Sequence, residues 1–369
     1  MAAASVTDGD VIALFRTLAS SARPTGSQAE SGARVHCRAW LERGGFDISE
    51  VPFSYSAWPG LYATPILGAL LMTVCLLSVL ALGKGGSIVD PVMTWASVAV
   101  ATIAGTGMLI GRFGTSRLPW MRRTSTILQA KRGEPAVWLM AHLDSKSQPV
   151  SLLARAGGAV AFALGWIGSL ATWMMVDASG ARTGWLLFAL AVSLLACAPL
   201  ILSWIGSKGD GALDNASGVA AVLAAALTWP ADRPLGVVIT SGEELGLAGA
   251  RAWVAGRPTG FAINCDGVDD GGSVTVTLGR GLRGGLGWHR REVERACGPG
   301  VRVRRILPGV LLDAVALTDA GWAACTVSKG SLRSLARIHT RRDTLAEMGG
   351  MGIPETARRI VALGGAIIA

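Results

Sequence analysis

The sequence has few charged residues, few histidines and no paired cysteine motif. Only 16% of its 369 residues are Asp, Glu, Lys or Arg, whereas soluble domains carry about 25%, so part of the chain is expected to lie outside water. The six cysteines show no C-x-x-C spacing. This excludes a cysteine-zinc site and a disulfide framework. Low-complexity linkers and internal repeats are also missing, apart from the pairs of apolar runs described next.

Four uncharged runs of about 20 residues dominate the hydrophobic content of the chain. They lie at 61–83, 91–111, 156–176 and 184–206. Each is long enough to cross a bilayer, and we predict two transmembrane hairpins, at 58–112 and 155–206. Small residues recur at helical spacing in both pairs, as close packing of membrane helices requires: Gly105, Gly157, Gly165 and Gly168. The alternative is four buried helices in a large soluble core.

The charge pattern predicts the orientation of these hairpins. The net charge is +9, but the basic residues flank apolar runs and no aromatic-interleaved patch is present, which favours a lipid bilayer over nucleic acid as partner. On one side lie Arg112, Arg117, Arg122, Arg123, Lys146, Arg155 and Lys208. The opposite loops carry Lys84 and Arg182, offset by Asp90 and Asp177. The positive-inside rule places the main domain in the cytoplasm of a bacterial-type cell, and the N-terminus does not resemble a signal peptide.

The remaining segments predict an α/β fold with a mostly parallel, mixed sheet between helices. They lie at 1–57, 113–154 and 207–369, and we expect them to form one domain. Residues 8–45 are typical of two amphipathic helices, and 46–56 of a strand. A hairpin is predicted at 124–145, turning at Arg132 and Gly133. Further strands are expected at 235–240, at 261–264 and later in the chain, with a closing helix at 352–369.

Carboxylates gather at the predicted edges of these strands. Asp214, the pair Glu243 and Glu244, and Asp266 each follow an apolar strand or precede a helix. Ligand sites in open α/β sheets lie beyond the carboxyl ends of the strands. Acids gathered there repel one another unless they share a cation or a proton, so we predict a metal site.

Two histidine segments complete this constellation. His142 ends an apolar strand two residues before Asp144, and His339 stands in the segment ARIHTRRDTL. Zinc takes imidazole nitrogen and carboxylate oxygen, and neighbouring zinc ions need a bridging carboxylate. An Asp two residues after a ligand His can hold its far ring nitrogen, and a Glu beside a ligand Glu can take a proton from water. His36 and His289 are interpreted as structural.

These motifs resemble those of the co-catalytic zinc aminopeptidases of clan MH, which include aminopeptidase Y, bacterial leucyl aminopeptidases and glutamate carboxypeptidase. The family pattern is H-x-D, D-N-x-S-G, E-E, a strand-end Asp and I-H-T-x-x-D-T. Here it is carried in order by 142–144, 214–218, 243–244, Asp266 and 338–344. Residues 23–48 and 313–328 also resemble family segments. The resemblance implies a zinc exopeptidase fold that hydrolyses peptides.

The resemblance also implies a role for each residue. His142 and Asp266 would hold one zinc, Glu244 and His339 the other. Asp214 would bridge them, Glu243 would be the general base, and Asp144 would orient His142. Three departures concern neighbouring positions: Leu213, Ala314 and Arg341 stand where the family often has Asp, His and Pro.

Three functions remain open at this point. The leading interpretation is a membrane-embedded aminopeptidase with two zinc ions per chain, although nitrogen and oxygen ligands also accept manganese or cobalt. The second is a glutaminyl-cyclase-like transferase, whose relatives use one zinc. The third is a non-enzymatic, receptor-like binding module. Such members tend to lose ligands, and all five are present here.

Overall fold

Eight strands form a single sheet in the structure, a computed structural model that describes residues 6–83, 88–175, 182–279, 290–307 and 309–367. Their bounds follow the chain: β1 Asp47–Ser56, β2 Arg122–Arg132, β3 Val137–His142, β4 Leu235–Thr240, β5 Phe261–Val268, β6 Ser273–Leu278, β7 Arg302–Arg305 and β8 Ala323–Gly330. The middle strands are buried along their whole length; β3 and β4 expose no residue. Such continuous apolar strands are typical of a sheet covered on both faces.

The sheet is mixed, and its order is β1-β2-β4-β3-β5-β8-β6-β7. The central strands β4, β3, β5 and β8 run parallel, while β2 and β6 are antiparallel to their neighbours in this core. The predicted fold class is therefore confirmed. The predicted hairpin at 124–145 is wrong, because β4 lies between β2 and β3 and pairs with both. The turn at Arg132 and Gly133 exists, with Gly133 at φ 68°, but it leads across β4.

Helices cover both faces of the sheet. Those of the α/β part are α1 Asp8–Leu18, α2 Gln28–Arg43, α8 Ser217–Thr228, α9 Ala248–Val254, α10 Arg290–Cys297, α11 Asp313–Asp319, α12 Leu332–Arg337 and α13 Ile353–Ile367. One face packs against α8, which is buried along 11 of its 12 residues up to Leu227, together with α1, α2 and α13. The other face packs against α9 and α11 around Trp138, Trp253 and Trp322.

The four predicted apolar runs form four long helices. They are α3 Thr64–Leu82, preceded by a π-helical turn at Pro59–Ala63, α4 Val89–Arg117, α5 Leu152–Met174, and α6 Arg182–Ala196, which continues into α7 Ala198–Ile201. Each is long and apolar enough to cross a membrane, and only 17–33% of the most apolar window of each is buried. That exposure contradicts the alternative of four helices inside a soluble core.

Each apolar insertion leaves and re-enters the α/β part at two segments whose backbones are hydrogen-bonded to each other. The first replaces the turn between β1 and β2, where Ser56 is paired with Arg122 and Ala57 N donates to Met121 O at 3.1 Å. The second is closed by a bridge in which Ser147 N donates to Gly206 O at 2.8 Å and Gly206 N donates to Ser147 O at 2.7 Å. Each insertion therefore begins and ends at nearly the same point of the fold.

The four helices pack together around a small apolar core that includes Met93, Trp166 and Leu190. Of the four glycines predicted to lie at helix contacts, Gly165 lies against Ser193 and Gly168 lies near Ala189. Gly105 and Gly157 face no described atom within 4 Å. Gly107 and Gly158, two residues and one residue further along the chain, make the close contacts instead. Lys84 and Asp177, used to predict the orientation, lie outside the described residues.

Candidate metal centre

The predicted site residues meet at one edge of the sheet. His142 is the last residue of β3, the loop with Glu243 and Glu244 follows β4, and Asp266 lies near the end of β5. Because these three strands are adjacent and parallel, their carboxyl ends open on the same side. A register shift between Cys265 and Val268 of β5 turns the Asp266 side chain toward this edge, as β-bulges do.

Two groups of possible ligand atoms share one carboxylate. The first comprises His142, Asp214 and Asp266, and the second comprises Asp214, Glu244 and His339; within each group the atoms lie within 4.8 Å of one another. His142 Nε2 is 3.1 Å from Asp214 Oδ1 and 3.7 Å from Asp266 Oδ1. His339 Nε2 is 2.9 Å from Asp214 Oδ2 and 3.2 Å from Glu244 Oε2. Asp214 therefore faces both groups, one oxygen each.

The polar atoms of these groups fit divalent cations. His142 Nε2 and Glu244 Oε1 are buried and form no hydrogen bond with a described residue, and buried polar atoms seldom remain without a partner. Four carboxylates, Asp214, Glu243, Glu244 and Asp266, lie at this edge together with two imidazoles. Nitrogen and oxygen ligands of this kind suit zinc.

The loop that carries Asp214 is held by two neighbours. The Asp343 carboxylate accepts hydrogen bonds from the backbone N–H of Leu213 at 2.6 Å and of Asp214 at 3.1 Å. Asn215 donates to Cys265 O and accepts from the N–H groups of Gly218 and Gly267 at 3.0 and 3.1 Å. Burial raises the pKa of Asp343 to about 7, although both N–H groups oppose the shift. These contacts fix Asp214 between the two histidines.

Asp144 contacts His142 differently from the prediction. His142 Nδ1 lies 3.0 Å from the backbone carbonyl of Asp144 and 3.6 Å from its carboxylate, so the carbonyl holds the ring. The carboxylate instead accepts hydrogen bonds from the backbone N–H of Glu243 and Glu244, both at 3.2 Å, and from Thr25 Oγ1 at 2.8 Å. Asp144 thus positions the loop of the proposed base as well as the histidine.

A buried arginine joins three segments behind the site, and the sequence analysis gave it no role. Arg23 has no exposed surface. Its guanidinium donates to the carbonyls of Leu143, Asp210 and Gly211 at 2.8–2.9 Å. These three carbonyls belong to residues that are 120 to 188 positions away in sequence. Arg23 therefore links the end of β3 to the segment that leads to Asp214, where Gly211 has φ 63°.

Two cations contact the second group of ligands. Lys146 Nζ lies 2.6 Å from Glu244 Oε2, and Arg155 Nη2 lies 3.3 Å from His339 Nδ1. Arg155 also contacts the side chain of Gln148, whose N–H donates to His339 O at 2.6 Å. The sequence analysis used both residues only as orientation charges. Arg155 belongs to the first turn of α5, so this apolar helix reaches the candidate metal centre directly.

The carboxyl groups at the site have pKa values that are shifted in opposite directions. Burial raises the pKa of Glu243 well above its usual value; His142 opposes the shift, while Glu244 and Asp266 add to it. The pKa of Asp266 is likewise raised by burial. In contrast, although burial acts to raise it, the pKa of Glu244 is lowered to about 2 by His339 and Lys146. A buried carboxyl with a raised pKa is suited to proton transfer near neutral pH.

His36, the other histidine that the structure describes, belongs to neither group of candidate ligands. His36 is exposed on α2, as expected of a structural residue, and His289 lies outside the described residues. Two further acids, Asp269 and Asp270, have partners in later segments of the chain. Asp269 pairs with Arg337 at 2.9 Å, and Asp270 accepts from the N–H of Gly349 at 2.7 Å.

The structure thus combines an eight-stranded mixed sheet with two groups of histidine and carboxylate side chains at its carboxyl edge. The sequence of residues 202–363 matches the model of peptidase family M28, which confirms the predicted resemblance. No curated protein matches the sequence significantly.

Solved structures share this fold at low sequence identity. The zinc aminopeptidase BSAP from Bacillus subtilis is 12% identical, with a TM-score of 0.53 over 96% of this chain and 93% of that protein. A leucine aminopeptidase precursor from Bacteroides thetaiotaomicron is 11% identical, with a TM-score of 0.54 over 98% and 97% of the two chains. The glutaminyl cyclase of Porphyromonas gingivalis is 13% identical, with a TM-score of 0.54 over 97% and 98%.

Proposed function

We propose that this protein is an integral-membrane, zinc-dependent aminopeptidase that removes N-terminal residues from peptides. The observation that carries the proposal is the meeting of two ligand groups on the single carboxylate of Asp214. The M28 domain and the aminopeptidase structures support the reaction class. The roles of the individual site residues are part of the proposal.

In this proposal each group holds one zinc ion. His142 and Asp266 belong to the first site, Glu244 and His339 to the second, and Asp214 bridges both. When bound, the zinc ions supply Lewis acidity for the scissile carbonyl and make water more acidic. The residues of the chain would hold the ions at the carboxyl edge of the sheet, and Glu243 would lie at the same edge.

Glu243 is the proposed general base. Its side chain is 9% exposed, and burial raises its pKa, so its carboxylate can take a proton from the attacking water and give it to the leaving amine. Asp144 sets the position of Glu243, because its carboxylate accepts the Glu243 N–H at 3.2 Å. Proton transfer by a positioned side chain typically contributes 10²–10⁴-fold to the rate.

The test replaces the base without removing a metal ligand. In Glu243→Gln, we expect kcat for an aminoacyl-anilide to fall by about 10²–10⁴-fold while zinc content and thermal unfolding stay as in the parent. Glu134→Gln is the matched control, since Glu134 is exposed in a turn. A Glu243→Gln protein that keeps its zinc and cleaves at the parent rate would refute the role of Glu243.

The membrane part of the proposal rests on the four helices. Their exposed apolar surfaces suit a bilayer, and two crossings in each insertion return the chain to the side it left. All five ligands therefore share one side, which the basic residues place in the cytoplasm. Proteolysis of sealed inner-membrane vesicles tests this orientation: inside-out vesicles should expose the peptidase part, and right-side-out vesicles should protect it.

A second candidate is a single-zinc, glutaminyl-cyclase-like transferase. Two observations favour it: two glutaminyl cyclases match the fold as well as the aminopeptidases do, and Lys146 contacts a ligand of the second group. Zinc content per chain, measured beside anilide hydrolysis and cyclisation of N-terminal glutamine, separates the two. Two ions with hydrolysis support the aminopeptidase, and one ion with cyclisation supports the transferase.

A further inference from the structure

A cleft of about 480 Å³ lies beside the end of α4, away from the candidate metal centre. Its walls come from the end of β1, from the last turn of α4, from α9 and from α11. The polar residues that face it are Ser54, Tyr55, Arg112, Thr115, Ser116, Arg117, Arg251 and Asp319. Nothing in the proposed peptidase reaction uses this cleft.

The cleft has a positive balance of charge. Three arginines line it against one acid, Asp319. Arg251 donates to the carbonyl of Arg112 at 2.7 Å, so its guanidinium is held at the end of α4. Arg112 and Arg117 are exposed, and the central carbons of their guanidinium groups lie 5.4 and 4.6 Å from the centre of the Phe113 ring. Two fixed cations and a third nearby favour an anion.

The cleft also contains a buried hydroxyl without a partner. Thr115 is 2% exposed, and its Oγ1 forms no hydrogen bond with a described residue. Threonine in a helix usually donates to a carbonyl one turn earlier, as Thr94 and Thr102 of α4 do at 2.8 Å. The hydroxyl of Thr115 therefore remains free to donate to an acceptor in the cleft. A phosphate oxygen is an acceptor of the right charge.

The position of the cleft along α4 indicates where this anion comes from. With 29 residues, α4 is about 43 Å long at 1.5 Å per residue, longer than the ~30 Å apolar layer of a bilayer. Its uncharged part ends at Gly111, and Arg112 is the first basic residue after it. Trp120, 57% exposed, stacks edge-on against Trp58 at the same end. The cleft thus lies at the depth of the lipid headgroups, where tryptophans gather.

We propose that this cleft binds the phosphate headgroup of an anionic phospholipid in the leaflet on the peptidase side. Arg112 and Arg117 would contact the phosphate and Thr115 would donate to it, while the acyl chains would follow the exposed apolar face of α4. The inference rests on the membrane insertion in the proposed function, but it requires neither zinc nor hydrolysis.

Lipid binding by the detergent-purified full chain tests the proposal. The probes are phosphatidylglycerol and phosphatidylcholine, with bound lipids counted by native mass spectrometry. We expect phosphatidylglycerol to bind at least tenfold more tightly. The double variant Arg112→Gln/Arg117→Gln should weaken its binding by about tenfold or more, since each basic residue near a lipid surface contributes to anionic lipid affinity. Thr115→Val, which keeps the shape, should weaken it severalfold.

The matched control removes the same charge at the far edge of the sheet. Arg302 and Arg305 are exposed on β7, and Arg302→Gln/Arg305→Gln should leave lipid binding unchanged. Equal losses in the two double variants would overturn the proposal, because net charge alone would then explain the binding. Displacement of the lipid by an equimolar amount of inorganic phosphate or glycerol phosphate would also overturn it, in favour of a soluble anion.

The failure of the wider proposal looks different. A chain that does not insert in membranes would purify without detergent and bind neither lipid, and a chain without peptidase activity would still retain phosphatidylglycerol. Loss of anilide hydrolysis with intact lipid binding therefore concerns the metal centre, whereas loss of lipid selectivity with intact hydrolysis concerns the cleft.

Discussion

The two halves of the candidate metal centre share Asp214 but have opposite surroundings. The half with His142 and Asp266 is bounded by acids: Asp144 lies beside His142, and Asp313 and Glu30 are buried further back. The half with Glu244 and His339 is bounded by cations, Lys146 and Arg155. The two halves therefore have similar candidate ligands, one histidine and one carboxylate each beside Asp214, but different electrostatic surroundings.

This difference indicates that the halves bind cations unequally. Acids around the first half add attraction for a divalent ion, whereas each cation near the second half repels one; at an effective dielectric constant of 20, charges 4 Å apart interact with about 4 kcal/mol. The geometry of His339 adds to this. A histidine that binds metal through Nε2 carries its proton on Nδ1, and that N–H would face the guanidinium of Arg155, another donor.

The largest effect is expected from a substitution that weakens metal binding in both halves of the centre. In Asp214→Asn, the shared carboxylate is lost, and we expect zinc content to fall in both halves and activity to fall by about 10³-fold or more, since metal-assisted polarisation contributes several kcal/mol. Asp232→Asn, an exposed acid, is the control. Retention of two ions per chain in Asp214→Asn would mean that Asp214 does not bridge.

Stepwise metal removal tests the inequality itself. We expect a chelator to remove one zinc well before the other, with affinities on the order of 100-fold apart if each cation contributes about tenfold. His339→Ala should then keep the tightly held ion and His142→Ala should lose it, as measured by metal content after chelation. Loss of both ions at one chelator concentration would contradict the comparison.

Removal of one cation should reduce the difference. Lys146 Nζ is 2.6 Å from Glu244 Oε2 and its side chain is 12% exposed, so Lys146→Met should strengthen zinc binding in the second half by about tenfold. Chelator competition measures the change. Lys146→Arg keeps the charge and Lys208→Met removes an exposed one; neither should alter the weaker affinity. Weaker binding in Lys146→Met would show that the lysine supports the site.

A smaller gain is expected at Arg155. Arg155→Gln replaces a donor by a side chain that can accept from His339 Nδ1–H, and we expect about threefold to tenfold tighter binding of the second ion, a smaller change than the roughly 10–100-fold typical of outer partners of metal ligands. Arg155→Lys keeps the charge and serves as the control. If Arg155→Gln and Arg155→Lys bind zinc alike, charge and hydrogen bonding at Nδ1 are not what separates the halves.

The smallest effect concerns the acids behind the first half. Burial raises the pKa of Glu30 from 4.5 to about 7, and Asp144 adds to the shift. A carboxyl with a raised folded pKa keeps its proton longer in the folded state, so its contribution to stability falls as pH rises from about 4.5 to about 7. Glu30→Gln should reduce this fall by roughly 1–3 kcal/mol. The midpoint of thermal unfolding across this pH range measures it.

The control for Glu30 is Glu42→Gln, at an exposed position of the same helix, where the side chain is 58% exposed. Its unfolding midpoint should follow the pH dependence of the parent. An unchanged pH dependence in Glu30→Gln would mean that Glu30 is ionised in the folded protein throughout this range.

The four apolar helices follow from local patterns of composition and were predicted correctly. The candidate ligand residues were predicted from ordered motifs; the structure brings them together at one edge of the sheet, and their roles stay predictions. The sheet order could not be predicted, because pairing of β4 with both β2 and β3 depends on packing rather than on a local signal. Whether a segment forms a strand depends on its local sequence, whereas the strands that it pairs with depend on the rest of the fold.

The side-chain contacts around the site could not be predicted from the sequence either. Lys146 and Arg155 follow His142 closely and could be seen only as charges near apolar runs, since their contacts with Glu244 and His339 span 98 and 184 residues. Asp144 was correctly placed near His142, but its carboxylate serves the Glu243 loop. Such distinctions depend on side-chain direction, which spacing does not encode.

The closure of both apolar insertions by paired backbone has a consequence for the ancestry of this architecture. Ser56 meets Arg122, and Ser147 meets Gly206, so each hairpin replaces what a short connection could supply in a water-soluble enzyme. An ancestral gene could gain or lose such a cassette without altering the register of any strand. By the same reasoning, the first cassette could be excised and its closed ends joined by a tight turn, whereas excision of the second would also remove Arg155 and its contact with His339.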